Sequence, residues 1–478
     1  MHGKYQQLRI GLVGLGLETY WTQFAGLEER LISYVGEVEQ RISRPSRIVV
    51  NLGLVDSPEK ALDASHRCRC EDVDILLIYV TTYALSSTVL PLIKRAKVPI
   101  ILLNLQPDAA IEYEGFNAMK DPTVMTGEWL AYCSACPVPE ITNVLRRLGI
   151  SFTQVTGMLH NDPPCWREVD DWLRAAEVVH ALAHTRLGLM GHYYGGMLDV
   201  ATDLVQVSGR FDLHIEMVEV DELTALRSDI DEKAIAGKVA DFREFFVVDT
   251  DCTEEELVRA ACTSIALDRL IDSKDLGMVA YYYKGSGVPE NEATISSIIL
   301  GASMLTGRGV PVAGEYEVKN VIAMKILDLF GMGGSFTEYY AIDFNEDVVL
   351  MGHDGPGHIG IAEGKIKVRP LAVFHGKVGS GLSVEMSVKH GPVTLLSVVE
   401  DPSCGFKLLI AEGKSVAGPI LQIGNTNSRY RFSLGARGFV ETWNSHGPAH
   451  HCAIGIGHGV TKLKKVASLL GLTAVQIC

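Results

Sequence analysis

The sequence predicts an α/β protein with two doubly wound α/β domains, each on a parallel sheet, followed by a C-terminal domain containing an antiparallel β-barrel. Three observations predict this. Through the first 180 residues, short β-rich apolar runs ("LRIGLVGL", "RIVVNLGLV", "VDILLIYV", "VPIILLNL") each precede a polar or amphipathic stretch, the βαβ rhythm of a parallel sheet covered by helices. The rhythm resumes after a long helix expected from about Cys165 to His184. After about Phe344 strands succeed one another across short Gly-rich or polar turns with no helix between them, which signals an antiparallel sheet or small barrel. The expected domains are 1–180, 181–315 and 316–478.

Taken in order, "GLVGLGLETY" reads as strand, tight turn and helix start. It offers Gly14 and Gly16, but Thr19 stands where a dinucleotide-binding G-x-G-x-x-G requires glycine. A tight turn is the plainer account, with a nicotinamide oxidoreductase a distant alternative. The helix "ITNVLRRLG" leads to the strand "ISFTQVTG". The second domain has strands "RLGLMGHY", "LHIEMVEV" and "LGMVAYYY", with helices in "EEELVRAACTSIALDRLI" and "ATISSIILGASML". Strand alternation places Glu216 on the face of His214, with Glu219 and Asp221 opposite. "PVAGEYEVKNVIAMKILDLFGMGG" reads as loop, helix and glycine stop; Glu315 and Glu317 lie at its start, and Val318, Ile322, Ile326 and Leu327 mark one face. The strands "DVVLMGHDG", "KIKVRPLAVFHG", "GLSVEMSVKHG", "PVTLLSVVE" and "FKLLIAEG" follow, and the end returns to strand, helix, strand.

Composition narrows the function. With 47% hydrophobic and 21% charged residues, the 478-residue chain is globular. A net charge of −15 argues against binding nucleic acid or an anionic membrane through a basic surface. The most apolar stretch, "VDILLIYVTTYALSSTVLPLI", is interrupted by threonines, serines and a proline, so it reads as a buried strand feeding a helix. No export signal is legible, so the ten cysteines read as reduced thiols of a cytoplasmic protein. "CSAC", Cys133 to Cys136, has redox or half-zinc spacing, but no second pair accompanies it, and packing is the plainer account.

The chemistry concentrates between 311 and 353 and near 450. "GGSFTEYYAIDF" sets Glu338 among apolar and aromatic neighbours, where a carboxylate is costly to bury alone. "VVLMGHDGPGH" puts His353 just past an apolar strand, and "GPAHH" delivers His450 and His451 at a Gly-Pro turn. Carboxylates with imidazoles on glycine-bounded turns suit Mn²⁺, Co²⁺ or Zn²⁺ more than Mg²⁺. Glutamate at a helix start also complements the dipole, which is the structural account of Glu315 and Glu317.

The run "GEYEVKN…MKILD…GGSFTEYY…VVLMGHDGPGH…GPAHH" resembles the C-terminal half of the L-arabinose isomerases and, more loosely, the L-fucose isomerases. The family's E-G-D-x-K reads "EYEVK" here and falls on Glu315. Its S-F-x-E-D-Y reads "SFTEYY", giving Glu338; its L-G-S-H reads "LMGH", giving His353; and its G-A-H-H reads "PAHH", giving His451 and leaving His450 to line the sugar pocket. The N-terminal G-S-Q-H-L-Y segment reads "GLGLETY", keeping Tyr20 but neither Gln nor His, a departure where sugar identity is read.

The resemblance implies an aldose–ketose isomerase of the EC 5.3.1 class, converting L-arabinose to L-ribulose or acting on a related sugar through a cis-enediol. Glu315 and Glu338 would be the paired acid and base, and with His353 and His451 would hold Mn²⁺ or Co²⁺, with Mg²⁺ and Zn²⁺ behind. It also implies a homotrimer or homohexamer. His192 and Tyr283 end expected strands, where α/β ligands bind, and join Tyr20 and His450 as candidate sugar contacts. The alternatives are a sugar epimerase or other enediol chemistry on the same site, and a non-catalytic sugar-binding protein.

Overall fold

The computed structural model describes residues 7–371 and 380–478, which form two compact units, Met1–His180 and Ala181–Cys478. In the first unit β1 (Leu8–Leu15), α1 (Leu27–Ile42), β2 (Arg47–Val55), α2 (Pro58–Cys70), β3 (Ile75–Val80), α3 (Ser86–Ala96) and β4 (Ile100–Gln106) alternate as expected. The short helices α4 (Tyr113–Ala118) and α5 (Pro122–Leu130) follow, then α6 (Val138–Arg147), β5 (Thr153–Met158) and α7 (Pro163–Ala183). The sheet runs β2-β1-β3-β4-β5 with every pairing parallel. β3 is buried along its whole length, which is why it reads as an unbroken apolar run.

The turn after β1 does not open a helix directly. A single 3-10 turn, Glu18–Tyr20, comes first, and α1 begins only after Gly26 adopts φ 82°. Gly16 is required by packing: a Cβ there would lie 2.8 Å from the Trp21 ring, whose Nε1 donates to Asp56. Cys133 is buried, which pushes its thiol up to about 12.

The second unit begins with β6 (Arg186–Gly191), α8 (Leu204–Phe211), β7 (His214–Val218), α9 (Val220–Ser228), α10 (Glu232–Phe245), β8 (Val247–Val248), α11 (Glu254–Lys274) and β9 (Leu276–Tyr282). Next come α12 (Pro289–Ser296), α13 (Ile299–Gly307), β10 (Val312–Ala313) and α14 (Val318–Leu329). The order β10-β9-β6-β7 makes a second parallel sheet.

Three local expectations are corrected here. β7 ends at Val218, and Glu219 is no strand residue: it N-caps α9 in a reciprocal capping box with Glu222, which draws Asp221 into the helix as well. The helix expected in "ATISSIILGASML" is two, because the Ser297 hydroxyl bonds back to the Ala293 carbonyl at the break. α14 is not one-faced but buried on all sides from Val318 to Leu327. Its ammoniums are satisfied inside: Lys319 Nζ donates to the Asp199 and Ala201 carbonyls at 2.6 and 3.0 Å, and Lys325 Nζ to the Gly309 carbonyl at 2.7 Å.

The chain then runs through β11 (Ser335–Asp343), β12 (Val348–His353), β13 (Lys367–Leu371), β14 (Gly381–Glu385), β15 (Gly391–Asp401), β16 (Gly405–Val416) and β17 (Thr426–Phe432). α15 (Gly435–Ser445), β18 (His451–Ile456), α16 (Val460–Leu469) and β19 (Thr473–Gln476) complete it. The part of "KIKVRPLAVFHG" over 372–376 lies outside the described residues. β15-β18-β11-β12-β17-β16 form an antiparallel sheet that closes through the β15–β16 pairing, with β19 added in parallel on β16. Closure removes the free edges of this six-stranded barrel. A small sheet, β14-β13-β8, stands apart from it. α14 packs against β15 and β18 of the barrel and against β9 of the parallel sheet. No helix among the described residues is long and apolar enough to cross a membrane.

Candidate functional site

Two structures in the second unit converge on one place: the carboxyl edge of its parallel sheet and one end of the barrel. β10 leads from the sheet edge through Gly314 to Glu315. Glu315 and Tyr316 both hold left-handed backbone, at φ 57° and 60°. Two such non-glycine residues in succession cost on the order of 1–3 kcal/mol each. The surroundings hold them: Tyr316 N–H donates to the Tyr281 carbonyl at 3.0 Å, Glu317 N–H to the Gly314 carbonyl at 3.0 Å, and the Tyr316 ring packs edge-on to Tyr193 with centroids 4.8 Å apart.

On the barrel, register does the assembling. Glu338 on β11 is directly opposite His451 on β18 and Gly352 on β12. Cross-strand partners point to the same face. His353 is the last residue of β12, and the Phe336 ring packs against it and His451 at centroid distances of 4.4 and 4.3 Å.

Glu315 Oε2 lies 3.5 Å from His451 Nε2 and 3.6 Å from His450 Nε2. Among the described residues, one oxygen of Glu315 and one nitrogen from each of these histidines form a group whose atoms all lie within 4.8 Å of one another. The other two members of the expected ligand set stand at its border. Glu338 Oε2 is 4.0 Å from His450 Nε2, and His353 Nε2 is 3.9 Å from Glu315 Oε1.

The group is held by carboxylates the sequence did not single out for this role. Glu317, fully buried at the start of α14, meets His451 Nδ1 at 2.7 Å. His451 Nε2 is buried with no hydrogen-bond partner among the described residues. Nδ1–H therefore donates to Glu317, leaving the Nε2 lone pair directed at Glu315. That is the arrangement in which imidazole ligates a divalent cation, and the nitrogen and oxygen donors present fit one. His450 Nδ1 meets Asp199 Oδ2 at 2.6 Å, and the same oxygen accepts the His450 backbone N–H at 2.9 Å.

Electrostatics follow the geometry. The Glu315 carboxylate at 3.6 Å, then the hydrogen bond with Asp199, push the His450 imidazole up to about 9 against the opposing effect of burial. Burial works to raise Asp199, but the hydrogen bonds from His450 outweigh it and hold the carboxyl below its ordinary range. Burial raises Glu338, opposed by the nearby His451 and His450.

A cavity of about 340 Å³ adjoins this cluster, lined among others by Asp199, Glu338, Trp443, Asn444, Pro448 and His450. That is within the usual size range of small-molecule sites. His192 and Tyr283 do not line it. His192 lies just past β6, with Nδ1 2.8 Å from the Tyr193 carbonyl and its ring edge-on to Tyr282. Tyr283 follows β9, its hydroxyl 2.5 Å from that of Ser286. Tyr20 belongs to the first unit, where its ring packs edge-on to Phe24.

Residues 333–473 match the family model described as the L-arabinose isomerase C-terminal domain, a span holding Glu338, His353, His450 and His451. An L-arabinose isomerase from a Nocardioides species is 23% identical over 354 residues, covering 71% of this chain and 68% of the relative. An L-arabinose isomerase from Aeromonas hydrophila is 21% identical over 478 residues, covering 92% of this chain and 88% of the relative. Among solved structures, a periplasmic solute-binding protein of an ABC transporter from Actinobacillus succinogenes, with bound D-allose, is 12% identical over 68% of this chain and 92% of its own; its TM-score of 0.18 is too low to carry a fold argument.

Proposed function

We propose that this chain, which is a divergent member of the L-arabinose isomerase family, is a cation-dependent aldose–ketose isomerase acting on L-arabinose or a related sugar. The observation that carries the reading is the buried His451 Nε2, held open by Glu317 and directed at Glu315 beside a sugar-sized cavity.

Glu315 and His451 would hold a divalent cation, with Glu338 and His353 at its border. Bound there, it would supply Lewis-acid polarisation of the sugar's O1 and O2 oxygens and stabilisation of the negative charge that develops on them. Isomerisation moves a proton from C2 to C1 through a cis-enediol. One carboxylate of the Glu315–Glu338 pair takes the C2 proton and returns it to C1, while the other moves the hydroxyl proton between O1 and O2. Burial, which raises Glu338, makes that carboxyl a better proton carrier near neutral pH than an exposed one. Mn²⁺ or Co²⁺ suits two carboxylates and imidazole better than Mg²⁺ does. The chain works in the cytoplasm as a homotrimer or homohexamer, as the resemblance implies.

The test is ketose formation from a panel of aldoses by metal-stripped protein, with and without Mn²⁺ or Co²⁺. Cation-dependent turnover of one sugar is expected. No turnover of any aldose, despite tight cation binding, would overturn isomerisation in favour of epimerisation at the same site. Sugar binding that needs neither a cation nor Glu315 would favour a non-catalytic binding protein.

A further inference from the structure

The "CSAC" turn joins α5 to α6 in the first unit, and packing accounts for only half of it. Cys133 and Ser134 are buried, whereas Ala135 and Cys136 are exposed. The Ser134 hydroxyl is buried with no hydrogen-bond partner among the described residues. Packing alone explains neither that unpaired hydroxyl nor the thiol left in solvent two residues later.

The turn sits where a doubly wound sheet places its chemistry. In the order β2-β1-β3-β4-β5 the winding reverses between β1 and β3, and a crevice forms outside the carboxyl ends of those two strands. Thr82, two residues past β3, donates its hydroxyl to the Leu130 carbonyl at 2.8 Å, and Cys133 N–H donates to the same carbonyl at 3.1 Å. Beyond the turn, Glu140 of α6 accepts the Ser86 N–H at 2.7 Å and the Tyr83 hydroxyl at 3.4 Å. Both ends of the short span from Leu130 to Glu140 are thereby fixed to the segment that leaves β3. Within it the Cys133 and Cys136 side chains hydrogen-bond each other, and both face Tyr20 and Tyr83 closely enough to interact electrostatically.

Two thiols three residues apart on an anchored turn have the spacing of a dithiol that opens and closes locally. The pair is also asymmetric. Cys136 is reached from solvent and Cys133 is not. Burial, then the neighbouring Cys136, pushes the Cys133 thiol up to about 12, which keeps it protonated and out of a first attack near neutral pH.

We propose that Cys133 and Cys136 are a redox-active dithiol at the switch point of the first sheet, closing to a disulfide by exchange with a low-molecular-weight disulfide. Cys136 is the attacking thiol. Its thiolate attacks one sulfur of RSSR; a Cys136–SR bond forms, the RS–SR bond breaks, and the released RS⁻ takes a proton. Cys133 then gives its proton to solvent and attacks Cys136 Sγ. The Cys133–Cys136 bond forms as the Cys136–SR bond breaks, and the second RS⁻ is protonated. Two protein thiols are oxidised and one RSSR is reduced to two RSH. None of this depends on the isomerase reading.

The test incubates the reduced full chain with glutathione disulfide, blocks the remaining thiols with N-ethylmaleimide and reads the peptides by mass spectrometry. The exposed Cys70 and Cys404 serve as internal references. In the wild type the expected product is a Cys133–Cys136 disulfide within one chain, lighter by two hydrogen atoms, while Cys70 and Cys404 stop at the mixed disulfide with glutathione. Excess reduced glutathione should restore both thiols. Cys133→Ser should stop at a mixed disulfide on Cys136. Cys136→Ser should leave Cys133 reacting at least about tenfold more slowly than Cys404. A wild type that stops at the mixed disulfide on Cys136 would remove Cys133 as the resolving thiol and overturn the proposal. So would free thiols at both positions after Cys70 and Cys404 have reacted, or a disulfide between two chains. Cys133 reacting as fast as Cys404 in Cys136→Ser would overturn the order of attack.

Discussion

Glu317 Oε2 and His451 Nδ1 lie 2.7 Å apart, and both side chains are fully buried. They are 134 residues apart in the chain, one at the start of a helix and the other at the start of a barrel strand. The pair ties α14 to the barrel and fixes which imidazole nitrogen faces Glu315.

Removing Glu317 therefore has two readouts. Glu317→Gln keeps the size and one acceptor but loses the charge that fixes the tautomer, and should weaken Mn²⁺ binding about 10–100-fold. Glu317→Ala leaves the buried Nδ1–H of His451 without its partner and should also cost about 1–3 kcal/mol of stability. Calorimetric titration measures the first and urea unfolding of the metal-free chain the second. Wild-type Mn²⁺ affinity in Glu317→Gln would show that the carboxylate has no part in orienting a ligand.

The paired carboxylates predict a catalytic result. Glu315→Gln and Glu338→Gln should each lower ketose formation by at least about 10²–10⁴-fold, the range for loss of a positioned proton-transfer group. They should differ in Mn²⁺ affinity, because Glu315 sits between the two imidazoles while Glu338 stands 4.0 Å from the nearer one. Glu338→Gln with little loss of binding and a large loss of turnover is the expected signature. Undiminished turnover in either variant would remove that residue from the proton path.

The parallel sheets and the barrel strands rich in Val, Leu and Ile were legible because burial follows their apolar pattern. β17 was not. Its Thr426, Asn427, Ser428 and Arg429 are all buried, and each polar side chain has an internal partner: Thr426 the His353 backbone, Asn427 the Leu421 backbone, Ser428 the Val388 N–H, and Arg429 the Glu346 carboxylate. A central barrel strand thus reads like a loop. α15 was missed for a related reason, since Gly435 and Gly438 interrupt its helical pattern. At the site, the residue types of the "EYEVK", "SFTEYY", "LMGH" and "PAHH" motifs pointed to a common place. Asp199 carried no such signal: its partner lies 251 residues away, and nothing around "MLDVA" marks a functional carboxylate.

Cation removal should be visible in stability. A ligand that binds only the folded state stabilises it by RT ln(1 + [L]/Kd), about 2.7 kcal/mol at one hundred times Kd. The Tm of metal-stripped protein should rise on adding Mn²⁺ and continue rising with the logarithm of its concentration. The rise should vanish in Glu315→Gln, which takes away the oxygen shared by both imidazoles. Scanning calorimetry across a Mn²⁺ series checks this, and an equal rise in Glu315→Gln would place the binding elsewhere.

Tyr79 gives a prediction away from the site, in the core of the first unit. It is completely buried in β3, and its hydroxyl has no hydrogen-bond partner among the described residues. An unsatisfied buried hydroxyl costs about 1–3 kcal/mol, so Tyr79→Phe should stabilise the protein by an amount of that order. Burial also raises the Tyr79 hydroxyl well above its ordinary value of 10.0. The folded state then holds its proton at a pH where the unfolded chain releases it. The contribution from this group is fully present below about pH 10 and is lost as pH rises beyond that value toward the folded one. Tyr79→Phe should therefore show a shallower loss of stability between about pH 10 and 11 than the wild type, while the difference between the two stays constant from about pH 6 to 9. Urea midpoints measured across that range decide it. Parallel alkaline limbs would mean that the hydroxyl finds water or a partner in solution.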